Sequence, residues 1–163
     1  MKKTLTMLLA FILCLSCACA LAEATDENVV TVSAVENGLD TLLDPIGLSV
    51  TLPAGWQQAQ TPENYVAVYQ SADETLTLSV LLGQSLNACH ALIVEQEEND
   101  AVKDVTEQYV NDRYFLTYRS ADDLYFFAYL PISEENCVIF CFARSAADVA
   151  LDVPLQILGS VHW

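Results

Sequence analysis

Positive charge is scarce in this chain: 6 Lys and Arg stand against 22 Asp and Glu among 163 residues, a formal net charge of −16. A field of that sign repels phosphate backbones and anionic lipid, and no basic stripe interrupts it, so nucleic acid is excluded as a partner. Histidine is scarcer still, with His90 and His162 alone, which removes the tetrahedral zinc signature and leaves little for general-base chemistry. With 5 Gly and 5 Pro there is no collagen-like or linker-like tract, and no internal repeat is visible. Nothing in the chain calls for a cofactor.

Long apolar runs are also missing, with one exception. Lys2 and Lys3 precede an apolar stretch from Leu5 to Leu15 that closes in Ala20-Leu21-Ala22, the pattern of a secretory signal peptide cleaved after Ala22. The stretch is shorter than the about 20 uninterrupted apolar residues of a membrane helix, and no second one follows, so the product is expected not to be an integral membrane protein. Cys14, Cys17 and Cys19 do not fit a lipobox, which needs Leu and two small residues ahead of the cysteine. The expected location is therefore secreted or extracytoplasmic. Removing the leader leaves Lys103, Arg113, Arg119 and Arg144 as the only cations, a formal charge of −18.

Three cysteines remain after that cut: Cys89, Cys137 and Cys141. An odd count without regular spacing is not a disulfide framework. If Cys137 and Cys141 share a strand, four steps of ~3.3 Å hold them ~13 Å apart, beyond bridging distance. A bridge would join Cys89 to one of them; three buried thiols acting as small hydrophobes is the other reading.

Residues 23–44 mix acidic and small residues without a period and read as a tether, with room for one short ordered piece around Val29 to Val35. From Pro45 to the end the chain reads as one domain. Ile46 to Leu52 alternates apolar and polar residues, the period of a half-buried strand, and stops at Pro53-Ala54-Gly55. Val66 to Tyr69 and Leu76 to Leu82 flank the polar turn Ser71 to Glu74 as a hairpin. Ser85 is the N-cap of a helix running from Leu86 to about Glu97. Strands follow at Val105 to Val110, Tyr114 to Tyr118, Leu124 to Leu130 and Cys137 to Ala143, and their short connections predict antiparallel neighbours. The last two are apolar on both faces, which predicts cover on both sides. Ser145 and Asp148 have capping-box spacing, and Pro154 suits the first turn of a final helix carrying Leu155, Leu158 and Val161. The sum is an α+β fold: a mostly antiparallel sheet of about six to seven strands with helices packed on it.

The strand Leu48-Ser49-Val50-Thr51-Leu52 closing in Pro53-Ala54-Gly55-Trp56, and the ending Leu155-Gln156-Ile157-Leu158-Gly159-Ser160-Val161, resemble the PsbP-like superfamily, including exported bacterial domains of the DcrB type. The order of strand, hairpin, helix, strand meander and terminal helix is also similar over residues 45–163. One departure is Asn111-Asp112-Arg113, where that family usually has an Asn-Gly turn. The resemblance implies an α/β/α sandwich used for binding or assembly rather than catalysis. It also implies that Pro53 and Gly55 set a turn while Trp56 packs the sheet end.

Chemistry-bearing residues are few. Cys89-His90 is a suggestive pair, but neighbours on a helix point about 100° apart. Gly83-Gln84-Ser85-Leu86-Asn87 falls one glycine short of a nucleophile elbow. Glu95, Glu97, Glu98 and Asp100, and separately Asp122-Asp123, offer oxygen ligands without EF-hand spacing and read as solvated charge. The aromatic strands, above all Tyr125 and Tyr129, supply phenols that tolerate a half-exposed binding face. The sequence therefore points to an exported, non-enzymatic domain whose partner is a protein, with a small molecule or lipid held between helix and sheet as the alternative and a cryptic hydrolase as the weakest reading.

Overall fold

Alternation of period two builds most of the chain, and the computed structural model, which describes residues 28–31 and 47–162, converts it into nine strands and two helices. They follow as β1 (Asn28–Thr31), β2 (Ser49–Leu52), β3 (Gln57–Gln58), β4 (Ala67–Gln70), β5 (Leu76–Gln84), α1 (Leu86–Glu98), β6 (Val102–Val110), β7 (Arg113–Ser120), β8 (Tyr125–Pro131), β9 (Asn136–Arg144) and α2 (Asp152–Gly159). The expected leader and most of the expected tether lie outside the described residues. Within the stretch read as a tether, β1 pairs antiparallel with β2, Val30 opposite Val50.

Seven strands form one antiparallel sheet in the order β3-β4-β5-β9-β8-β7-β6. Helix α1 carries the chain from the centre of the sheet to its far edge, and the meander β6 to β9 returns it until β9 closes on β5 through nine paired residues, Leu76 opposite Arg144 to Gln84 opposite Asn136. One face packs Leu78, Val80, Phe115, Phe140 and Phe142 against Leu48, against Val50 and Leu52 of β2, and against Ile157 and Leu158 of α2. On the opposite face, Ile93 of α1 meets Val102, Leu116 and Tyr118. The layers are thus α2 with β2, then the sheet, then α1: the α/β/α sandwich that the resemblance implies.

Local chemistry explains several boundaries. The Trp56 amide donates to the Pro53 carbonyl at 3.3 Å across a turn in which Gly55 takes φ +83°, a conformation that favours glycine. Ser85 caps α1 by accepting the Ala88 amide at 3.3 Å. The β6–β7 hairpin manages without glycine because Asn111 and Asp112, at φ 47° and 65°, supply the two positive φ values that a two-residue type I′ turn needs. Two expectations need correction. Ser145 and Asp148 cap nothing, since α2 starts at Asp152 with Leu151 before it and no side-chain cap. Strand β6 starts at Val102 rather than Val105, because a bulge between Lys103 and Thr106, with Asp104 at φ 55°, breaks the alternation that marks a strand in sequence.

Three of the four expected mature cations converge on the β7–β8 turn. The Asp123 carboxylate accepts Lys103 at 2.6 Å and Arg119 at 2.7 Å, while buried Arg144 donates to the Asp123 carbonyl and to the carbonyls of Ala147 and Val149. One turn is thereby tied to β6, to the end of β9 and to the loop before α2. The Lys103 hydrogen bond, the largest cause, holds the Asp123 carboxyl below the usual range; the Ser120 hydroxyl does so for Asp122 and the Ser71 hydroxyl for Asp73. Among the described residues no helix is long and apolar enough to cross a membrane.

Two outcomes follow from this architecture. Phe140→Ala, which empties a fully buried ring site, should cost about 3–5 kcal/mol in urea unfolding, whereas Leu92→Ala, at a side chain 59% exposed, should stay within about 0.5 kcal/mol. Because the Asp123 pKa is lowered on folding, its contribution is full above the unfolded value of about 4 and fades as pH falls through the folded value. The stability gap between wild type and Asp123→Asn should accordingly shrink between pH 6 and pH 3 in urea titrations.

Candidate functional site

Strand alternation places Tyr125, Phe127 and Tyr129 of β8 on the sheet face that carries α1, and β7 adds Tyr118 opposite Phe127. Their rings form a continuous row: Tyr125 to Phe127 at 6.2 Å, Phe127 to Tyr118 at 4.7 Å, Tyr118 to Tyr129 at 5.7 Å, all stacked. The predicted pair Tyr125 and Tyr129 therefore shares one face, at opposite ends of the row, with two further aromatics between them.

Uniform apolarity predicts that this face is covered; the structure covers it only in part. Helix α1 has 13 residues, hence ~20 Å of length, and buries only Cys89 and Ile93 while Leu92 remains 59% exposed. It shields Leu116, Tyr118 and the edge of Tyr129 beneath it. Beyond it the sheet is half-open across Thr77, Ser79, Ala143, Cys141 and Phe127, and ends at Tyr125, which is 43% exposed.

Between helix and sheet lies a cleft of about 240 Å³, lined by Cys89, Leu92, Ile93, Gln96, Tyr118 and Tyr129, among others. The two phenol oxygens there are 2.9 Å apart, so one hydroxyl donates to the other. Burial pushes the Tyr118 pKa up, reinforced by the hydrogen bond with Tyr129, and burial also raises Tyr129. Both are neutral phenols at any physiological pH, able to donate and accept but not to act as a base. Cys141 beside them is pushed up to about 12 by burial.

The other residues that the sequence singles out are already engaged. Cys89 is buried with its Sγ 3.7 Å from the Gln84 carbonyl oxygen, while His90 is exposed, so the two diverge. Ser85 serves the helix cap. Asp122 accepts the Ser120 hydroxyl and the Leu124 amide, and Asp123 accepts two cations, which leaves that turn no free carboxylate cage. Glu95, Glu97, Glu98 and Asp100 are exposed, and among the described residues no three His, Cys, Asp or Glu side chains gather to hold a metal ion.

One contact escapes sequence reading. Ser49 Oγ lies 2.9 Å from His162 Nε2, and His162 Nδ1 lies 2.9 Å from the Ser160 carbonyl oxygen. With Nδ1 protonated it donates to that carbonyl, and Nε2 accepts the Ser49 hydroxyl. The separation of 113 positions between Ser49 and His162 leaves no signal in the chain. The arrangement has the contact of a nucleophile and base, but Ser49 is only 7% exposed and is locked to His162 by two backbone hydrogen bonds of 2.8 and 3.0 Å. The nearby cleft of about 370 Å³ is lined by Thr51, Val110, Leu155 and Ser160 but not by Ser49. The pair closes the end of the chain onto β2, as does Ser160, whose hydroxyl accepts the Thr51 amide at 2.8 Å.

No family model matches the chain, and no curated protein matches it. Solved structures do. A crystal structure from Bacteroides thetaiotaomicron VPI-5482 aligns at 11% identity and TM-score 0.49 over 71% of this chain, which spans only 44% of that one. The solution structure of cyanobacterial PsbP (CyanoP) from Synechocystis sp. PCC 6803 aligns at 13% identity and TM-score 0.51, covering 87% of this chain and 94% of that chain. Strand order, the two helix layers and this near end-to-end alignment agree: the fold of the chain is PsbP-like.

Proposed function

We propose that the chain is an exported, non-enzymatic domain that docks a protein partner on the half-open aromatic face running from Tyr125 to Tyr129. The observation that supports this reading most is the exposed end of the ring row, Tyr125 with Phe127 beside it, set on a sheet that α1 leaves uncovered. Exposed aromatics of this kind are the side chains that most often anchor interfaces. Charge narrows the partner: acidic Glu95, Glu97 and Glu98 on α1 and Asp122 next to the row favour a polypeptide that presents an apolar anchor flanked by Lys or Arg. The signal-like leader supports export, with the partner met at or outside the cell surface. The divergence of Cys89 from His90 and the capping role of Ser85 weigh against a hydrolase.

A small-molecule or lipid ligand is the second reading, favoured by the cleft and its tyrosine hydroxyl pair. Its about 240 Å³ falls below the roughly 300–1,000 Å³ of ordinary ligand sites, and the acidity of the chain opposes anionic lipid.

Capture from the producer's envelope fraction tests the first reading. Tyr125→Ala should weaken retention of the partner by roughly 30-fold, about 2 kcal/mol, with unfolding unchanged, and added salt should weaken it further. Retention indifferent to Tyr125, or a bound small mass seen by native mass spectrometry of protein from its own host, would move the assignment to the cleft.

A further inference from the structure

Cys89 and Cys137 arrive at one point from elements that are 48 residues apart. Their Sγ atoms are 3.8 Å from each other, one being among the two buried side chains of α1 and the other fully buried on β9. The meeting is prepared by Gly83, which pairs with Cys137 in the sheet. A Cβ at residue 83 would stand 2.8 Å from the Cys137 Sγ, so the missing side chain leaves the room through which that thiol faces the helix.

The strand period makes the pairing selective. Cys141 lies four residues from Cys137 on β9, ~13 Å along the strand, outside bridging distance of it. Cys89, in contact with Cys137, is far from Cys141 for the same reason. A disulfide needs about 2.05 Å between sulfurs, so the Cys89 and Cys137 thiols need close by less than 2 Å, within the reach of side-chain rotation. An oxidant has a path, because Cys89 lines the cleft that opens between α1 and the sheet.

We propose that Cys89 and Cys137 form a disulfide when the chain meets a disulfide-bearing oxidant, and that Cys141 stays a thiol. The Cys89 thiolate attacks the oxidant's disulfide, breaking its S–S bond, forming a mixed disulfide and releasing one thiol. The Cys137 thiolate then attacks the Cys89 sulfur and expels the second thiol. The chain's two thiols lose two electrons and two protons, all of which end on the reduced oxidant. Burial, the largest cause, pushes the Cys137 pKa up and persists in the mixed disulfide, so the second step is slow at neutral pH and faster in alkali. The bond clamps α1, otherwise held mainly by Ile93, onto the central strand, and so fixes one wall of the cleft.

The full chain, equilibrated with glutathione disulfide and then alkylated under denaturing conditions, tests this. Chymotryptic cleavage at Phe140 separates Cys137 from Cys141, so peptide mapping without reductant should recover the Cys89 and Cys137 peptides joined, with Cys141 alkylated. Dithiothreitol should lower the Tm of the oxidised chain by on the order of 10 °C, and Cys89→Ala should be insensitive to it. Cys89 and Cys137 both alkylated after equilibration, or a bridge that includes Cys141, would overturn the assignment; both readouts on the wild-type chain are independent of whether the variant folds.

Discussion

The nine-pair ladder between β5 and β9 is the constraint on which the rest of the structure depends. It joins segments separated by α1 and three strands, and its alternation sets both layers at once. Val138, Phe140 and Phe142 turn inward against α2 and β2, while Cys137, Ile139 and Cys141 turn toward α1. A slip of one residue would exchange these two sets and place the phenylalanines under a helix with only two buried side chains of its own. The same register sets Gly83 opposite Cys137, so the contact between the sulfurs is a consequence of the ladder rather than of anything near Cys89 in sequence.

Charge is used with the same economy. Among the described residues most carboxylates are solvated, and the few cations are concentrated where backbone polar groups would otherwise be buried without partners. Arg144, nearly inaccessible at 3% side-chain exposure, satisfies carbonyls of the β7–β8 turn and of the loop before α2, and Asp123 lies beside it. Of the acidic pair that in sequence looks open to a cation, Asp123 is occupied by the protein's own Lys103 and Arg119, and Asp122 by the Ser120 hydroxyl and the Leu124 amide.

Much of this fold is legible in the chain because local rules act on single residues. Period-two alternation marks β2 and β5, Ser85 marks the start of α1, and Gly55 marks a turn only glycine makes cheaply. The misses have equally local causes. A bulge at Asp104 hides the start of β6, and the spacing of Ser145 and Asp148 imitates a cap where Arg144 instead binds the loop. Of the candidate site, Tyr125 and Tyr129 are readable as face-sharing phenols, yet Tyr118 joins their row from another strand and no pattern within β8 announces it.

The sequence by itself determined the net acidity, the element order and the shared face of the two tyrosines, since each depends on composition or on neighbours within one element. Only the tertiary structure decided that α1 covers half of the apolar face. It alone brought Cys89 to Cys137 and Ser49 to His162, because those distances are set by strand register and helix position across 48 and 113 residues, where local preference carries no information.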